Sequence, residues 1–497
     1  MFYNSTRSNQ TKVSSAQAIT QGISKEGGLF VPECLPKLDA SVLNELAEKS
    51  YVERAEFILG KFLTDFTPDE IEHCARNAYN DTKFKSNQIA EISHLTEGTY
   101  MLELWHGPTC AFKDMALQIL PYLLTTSAKK VAKDKEIVIL VATSGDTGKA
   151  ALEGFKDVPG TQMLVFYPED GVSAMQKRQM TTQEGDNVSV CAIKGNFDDA
   201  QTGVKKIFTD PAVVQKLAEH NMMFSSANSI NWGRLLPQIV YYVSTYCQLL
   251  KERQIEMGEK LNIVVPTGNF GNILAAYYAK KMGLPLGKLI CASNANNVLT
   301  DFIQTGTYNR VRDFHTTISP SMDILISSNL ERLLYDMCGK DDAKIAEWFK
   351  ALNETGTYTV DAEVKAKLDE EFYAACCDDK ETKETIKQIF DRYSYVCDTH
   401  TAVAVKAAMD YREKTGDQTK MVIASTASPY KFANSVLDAI SGEAPADDYA
   451  QLDQLNALSH LEIPKALAEL KEKEIRFSSS ITKEEMENTV LQMLHLD

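Results

Sequence analysis

From about residue 100 the chain alternates short apolar runs with longer amphipathic stretches. The runs at 137–141, 163–167, 188–193, 263–265, 289–292 and 421–424 each read as a buried strand with a helix after it. A parallel strand is covered by helices on both faces, so it carries apolar residues at consecutive positions. The alternation therefore predicts an α/β fold with two open, largely parallel sheets. Residues 33–95 follow a different period, with apolar positions at helical spacing through Val42, Leu43, Leu46, Phe57, Ile58 and Phe62. Thr67 and Pro68 have the form of an N-cap and first helical turn. Residues 330–395 are charged and helical in pattern (331–337, 343–352 and 364–376) and read as a helical insertion; 450–497 read as a charged helical tail.

These patterns divide the 497 residues into three expected parts: a helical N-terminal domain at 1–95, a first α/β domain at 96–225, and a larger α/β domain at 226–497 that contains the insertion. Lys and Arg number 52 against 68 Asp and Glu, a net charge of −16. No basic field exists to draw the chain to nucleic acid or to anionic lipid, although a small anionic substrate can still sit in a locally basic pocket. No apolar run is long enough to span a bilayer. The ten cysteines include no CxxC pair and no metal-ligand spacing, so they read as reduced thiols of a cytoplasmic protein without a metal site. The first 24 residues lack acidic groups and are rich in Ser and Thr, but hold only two basic residues, so a removable targeting segment is not expected. Oligomeric state is left open between monomer and homodimer.

Two strand–loop–helix junctions have the form of anion sites. One is Ser144, Gly145, Asp146, Thr147, Gly148 and Lys149 after an apolar run; the other is Gly268, Asn269, Phe270, Gly271 and Asn272. A helix start leaves backbone N–H groups without partners at its positive dipole end, and glycines let a ligand come close. Neither loop carries a nucleotide fingerprint: Ala150 follows Gly148 and Lys149 where a P-loop needs Ser or Thr, and both loops have a GxxG spacing where a dinucleotide loop needs GxGxxG. A bare phosphate group fits better than a nucleotide, and two such loops suggest two phosphate-sized anions. A tight turn between strand and helix explains either loop taken singly.

Lys113 lies in the run from Leu102 to Leu117, after Gly107, Pro108 and Thr109, where Thr109 is a candidate cap and Phe112 and Met115 are flanking apolar residues. A lysine near a helix start and among apolar neighbours is partly desolvated, which lowers its pKa and yields the neutral amine that Schiff-base chemistry needs. Spacing by itself does not separate it from a snorkelling surface lysine.

The combined motifs resemble those of threonine synthase, a fold-type II pyridoxal phosphate (PLP) enzyme related in fold to the tryptophan synthase β chain. His106 to Asp114 match the family's His-Gly-Pro-Thr-x-x-Phe-Lys-Asp segment, Ser144 to Gly148 its Ser-Gly-Asp-Thr-Gly loop, and Gly268 to Asn272 its Gly-Asn-Phe-Gly-Asn loop. Ser229, Ile230, Asn231, Trp232, Gly233 and Arg234 are similar to another family segment. So are the stretches from Ser319 to Ile324, Ser328 to Arg332, Asp398 to Ala402 and Ser425 to Ala427. Tyr3 to Arg7 and Gly27 to Pro32 resemble the long microbial and fungal branch. One departure is Ser428, where the family often has His.

The resemblance implies a lyase that converts O-phospho-L-homoserine and water into L-threonine and phosphate, the last step of threonine biosynthesis. It implies that Lys113 carries PLP and serves as the base at Cα, that Gly268, Asn269, Phe270, Gly271 and Asn272 cradle the PLP phosphate, and that Thr426 faces the pyridine nitrogen. Ser144, Gly145, Asp146, Thr147 and Gly148 are placed at the substrate end, with Asp146 facing a donor, and with Lys149, Asn231 and Arg234 as further substrate contacts. His106 and His400 lie in family motifs, but a hydrogen-bonded structural histidine is the more usual outcome for such residues, and Phe112 and Trp232 read as packing residues. Rival readings are a fold-type II threonine or serine dehydratase, which needs no substrate phosphate site, and a non-catalytic PLP or phospho-ligand binding protein.

Overall fold

The apolar runs form the interiors of two sheets in the computed structural model, which describes residues 1–496 apart from 134, 144, 170 and 171, with the side chain of Asp198 also outside the description. Five parallel strands lie in the order Ser480–Ile481, Val188–Ile193, Thr161–Pro168, Glu136–Ala142, Met222–Ser225. Six strands form the second sheet in the order Phe372–Cys376, Leu286–Ser293, Leu261–Pro266, Met421–Ser425, Thr99–Glu103, Glu91–Thr96. All its pairs are parallel except the last. Leu261–Pro266, Met421–Ser425 and Thr99–Glu103 are buried at every position, as helices on both faces require.

The helices of the N-terminal part are set by local signals. Thr67 accepts from the Glu70 N–H and Glu70 returns a bond to the Thr67 N–H, a reciprocal cap with Pro68 in the first turn. The helices Ala40–Ala47, Tyr51–Phe62 and Pro68–Ala78 account for the pattern read there. A three-stranded antiparallel sheet of Tyr3–Ser5, Ser8–Val13 and Phe30–Pro32 precedes them. Two of these strands have only three residues, too few to show a period. The helix Trp232–Lys251 is the spine, buried without a break from Trp232 through Cys247 despite Pro237 within it. Arg7 pairs with Glu331 at 2.7 Å and the Thr6 hydroxyl donates to the same carboxylate, which ties the N-terminal motif to the one at 328–332.

Strand pairing departs from the expected domain boundaries. Thr99–Glu103 falls within 96–225 yet pairs with Met421–Ser425 in the second sheet, and Ser480–Ile481 falls within 226–497 yet closes the edge of the first. Sheet membership is fixed by long-range pairing, which leaves no local mark. The stretch 364–376 also needs correction: the helix ends at Glu371, and Phe372–Cys376 becomes an edge strand alongside Leu289–Ser293. The region is therefore not a purely helical insertion. In the tail, Asp448–Ser459 and Met486–Met493 are helices.

Candidate active site

The strand Thr99–Glu103 runs into the loop that ends at Lys113. This loop is zipped along residues 425–428: the N–H groups of Leu104 and Phe112 donate to Ser425 O and Thr426 O at 2.9 and 2.8 Å, and Ser428 N–H donates to Cys110 O at 3.0 Å. Lys113 stands at the N-cap of the short helix Asp114–Leu117. Thr109 does not cap that helix directly; its N–H and hydroxyl both donate to the buried Asp114 carboxylate, at 2.8 and 2.6 Å. Burial pushes Asp114 up to about 6. Gly107 is required because a Cβ there would lie 2.6 Å from Asp114 Oδ2.

Lys113 is buried, and burial pulls its basicity down while nearby Asp146 opposes that shift. Its Nζ donates to Ser321 Oγ at 3.3 Å and lies 3.8 Å from Asp146 Oδ2. Asp146 Oδ1 pairs with Lys431 Nζ at 2.7 Å and accepts from Gln176 Nε2 at 3.1 Å, and Lys431 also donates to Thr109 O. Burial raises the Asp146 acid, but Lys431 and Lys113 outweigh it and hold the carboxyl well below its ordinary range. Lys431 and Ser321 were not among the residues singled out from the sequence. Ser321 lies in a quoted motif, while Lys431 has only its proximity to Thr426 in sequence as a signal.

The two loops differ. The N–H groups of Gly268, Asn269 and Phe270 make no hydrogen bond among the described residues. Phe270 takes a left-handed conformation (φ 65°) to open the helix Gly271–Met282. The buried Asn272 Nδ2 has no partner among the described residues, while its Oδ1 accepts from the Tyr242 hydroxyl. Gly268 abuts Ser321, whose carbonyl oxygen would be 2.6 Å from an added Cβ. The first loop is more self-contained. Ser144 lies outside the described residues, and the N–H groups of Gly145 and Gly148 donate to Thr143 Oγ1 at 3.0 and 2.9 Å. In this arrangement those two amides are engaged by the Thr143 side chain. Gly145 (φ 139°) opens the helix Asp146–Phe155, and Thr147 beside it is half-buried.

Arg234 is buried, and burial pushes its guanidinium down to about 10. Its Nη1 donates to Ala227 O at 2.8 Å, Nε has no partner, and no carboxylate pairs with it among the described residues. Asn231, expected at the substrate, is a helix cap: Oδ1 accepts from Gly233 N–H, and Nδ2 donates to Ile19 O and Ser226 O. Its polar atoms are spent on the fold. Lys149 also has protein partners. It turns away from Lys113 to Glu153 and Gln183, and faces a cavity of about 480 Å³ behind the lysine loop that His106 also lines. His106 bonds Glu103 at 2.8 Å, whereas His400 bonds Asp398 at 2.8 Å and reaches Ser321. Thr426 is buried, and its hydroxyl makes no hydrogen bond among the described residues. Trp232 is fully buried among Tyr3, Phe62 and Tyr278.

An amine of depressed basicity, set next to a carboxylate and joined through Ser321 to a loop of unbonded amides, suits capture of an aldehyde that bears a phosphate. The chain matches family models described as threonine synthase N terminus (residues 2–79), pyridoxal-phosphate dependent enzyme (82–369) and threonine synthase, C-terminal (401–490). It is 38% identical over 468 residues to the Saccharomyces cerevisiae threonine synthase, covering 88% of this chain and 89% of that one. It is 40% identical over 460 residues to the human protein threonine synthase-like 1, covering 90% of this chain but 61% of that longer relative. A crystal structure of PLP-bound threonine synthase from Brucella melitensis superposes with a TM-score of 0.89 at 34% identity, covering 99% of each chain.

Proposed function

The chain belongs to the threonine synthase family, and from its site we infer that it is itself a threonine synthase, converting O-phospho-L-homoserine and water into L-threonine and phosphate. The observation that carries this reading is the buried Lys113 amine, coupled through Ser321 to the unbonded amides at 268–270.

The cofactor is pyridoxal phosphate, and the residues present fit it. The amides of Gly268, Asn269 and Phe270, the helix start at Gly271 and the partnerless Asn272 Nδ2 offer donors for its phosphate. Lys113 Nζ would hold its aldehyde carbon and the Thr426 hydroxyl its ring nitrogen. When bound, the group draws electrons from the substrate's amino-bearing carbon, which makes the protons at Cα and Cβ removable. Lys113 Nζ, made less basic by burial, is the group we assign to take the proton at Cα. Lys431 keeps Asp146 ionised and occupied, so that Asp146 leaves Lys113 enough freedom to act as a base. Arg234, buried without a carboxylate partner among the described residues, is the cation we assign to an anionic group of the substrate, with Thr147 at the start of the helix Asp146–Phe155. The buried strand ends and the loop at 425–428 exclude bulk water, so that protonation states persist through the cycle.

No helix among the described residues is long and apolar enough to cross a membrane, and all ten cysteines are free. We place the reaction in a reducing compartment, the cytoplasm. The test is the visible spectrum of the purified protein before and after borohydride, with peptide mapping, alongside phosphate release from O-phospho-L-homoserine. Labelled Lys113 and released phosphate are expected. Labelling elsewhere removes the site, and ammonia release from threonine without phosphate release replaces the reading with a dehydratase.

A further inference from the structure

Next to Lys113 the half-buried Ser321 leads to the buried His400 and Asp398, two groups to which the reaction described above gives no role. We propose that Ser321 is the positioning residue for the Lys113 amine, and that Asp398 and His400 act through it by fixing its backbone. The inference rests on the reading of Lys113 as the cofactor-bearing base.

The direction of each bond is settled by chemistry. Ser321 N–H lies 3.1 Å from His400 Nε2, and an amide N–H can only donate, so Nε2 carries no hydrogen. His400 Nδ1 lies 2.8 Å from Asp398 Oδ2, and a carboxylate only accepts, so Nδ1 carries the hydrogen. Both ends demand the same neutral tautomer. Asp398 cannot turn to serve another: it is fully buried, caps the helix Thr399–Thr415, and accepts from the Thr401 N–H at 3.1 Å and from the Thr401 hydroxyl. The His400 ring meets the edge of Phe432 at 4.8 Å between centroids.

Ser321 is thus held from several sides. Its N–H is tied to His400, its carbonyl oxygen is pressed against Gly268, and it lies within the turn Pro320–Met322. What remains is its hydroxyl, whose one bond among the described residues is the one accepted from Lys113 Nζ. A lysine amine sits on a flexible four-carbon stem, and a fixed acceptor is what keeps it aimed. The competitor is Asp146, 3.8 Å away. An amine that collapsed onto that carboxylate would become a protonated ion pair and cease to be a base. The other charged groups around Lys113 are Lys431 and Arg234, both of which disfavour its protonation, and Asp114, which favours it. Ser321 therefore holds the amine against the pull of Asp146.

The test is carried out on the full-length protein. In S321A, kcat should fall by about 10–100-fold, the scale of a misplaced reacting group, with KM within about threefold of the parent. The second readout needs no turnover: the pH dependence of reductive methylation of Lys113 by isotopically labelled formaldehyde, followed by mass spectrometry of its peptide in cofactor-stripped protein. Lys113 should titrate higher in S321A, and D146N should lower it more in the S321A background than in the parent, the coupling expected of a pair that forms only when Ser321 lets go. H400L should repeat the S321A phenotype, and H400Q, whose amide oxygen can accept from Ser321 N–H, should restore part of it. The proposal falls if S321A leaves kcat and the Lys113 midpoint unchanged, if D146N acts equally in both backgrounds, or if H400Q is no better than H400L. Such a failure would leave the borohydride labelling of Lys113 and phosphate release intact, which separates it from a failure of the proposed function.

Discussion

Lys431 Nζ lies 2.7 Å from Asp146 Oδ1, with the two side chains only 1% and 5% exposed. The pair sets the charge state of the site, because Asp146 is shared with Lys113. Removing one partner of a buried pair leaves an uncompensated charge and costs about 3–5 kcal/mol. K431M is expected at the low end, about 3 kcal/mol in urea unfolding, because Lys113 takes over the orphaned carboxylate. The same takeover holds Lys113 protonated, so kcat at neutral pH should drop while alkaline pH restores part of it.

Burial lowers the Lys113 pKa, and the sign of its effect on stability follows. A lysine whose folded value lies below its unfolded value of about 10.4 binds protons more weakly when folded. Its burden on the cofactor-free protein is present in full below the folded value and disappears as pH rises to the unfolded one. K113M should therefore be more stable than the parent at pH 7, with a gap that narrows toward about pH 10. Urea midpoints of the cofactor-free proteins at several pH values check this, and a gap independent of pH would contradict it.

Arg234 is a buried cation without an acidic partner among the described residues and with Nε unbonded. Such a group burdens the ligand-free fold and is compensated when an anion arrives. R234M should unfold at higher urea concentration than the parent in the absence of ligands. It should also lose about 10–100-fold in kcat/KM for the phosphoester, the range of a charged hydrogen bond worth about 1.5–3 kcal/mol.

Gly154 lies where the helix Asp146–Phe155 crosses Asp114–Leu117, and a Cβ there would be 2.0 Å from the Leu117 carbonyl oxygen. Backbone cannot yield as a side-chain tip does, so G154A should cost about 1–3 kcal/mol and push Asp146 away from Lys113. Gly60 is the control. It lies inside the helix Tyr51–Phe62 with its nearest outside contact an ordinary 3.6 Å, so G60A should stabilise by about 0.5–1 kcal/mol. Thermal melts and activity of the two variants separate close packing from helix propensity.

The apolar runs at 137–141, 163–167, 188–193, 263–265, 289–292 and 421–424 lie within observed strands, and Thr67 and Pro68 start a helix as read. These features are legible because burial on both faces and capping act through residues adjacent in sequence. The glycine loops and the lysine segment were legible as motifs for the same reason. Sequence could not tell that the Gly145 and Gly148 amides are occupied by Thr143, or that Asn231 spends its amide on Ile19 and Ser226. Nor could it tell that Lys149 turns from the site while Lys431 enters it. Each of these depends on the direction in which a side chain leaves a helix or loop, whether the partner is a few residues away, as Thr143 is from Gly145 and Glu153 from Lys149, or hundreds, as Ile19 is from Asn231 and Lys431 from Asp146. Local residue pattern determined which elements form and which loops can bind an anion. Only the packing of the two sheets decided which polar groups are still free to do so, because a donor or a charge in a folded chain is committed to whichever partner the tertiary structure brings within reach.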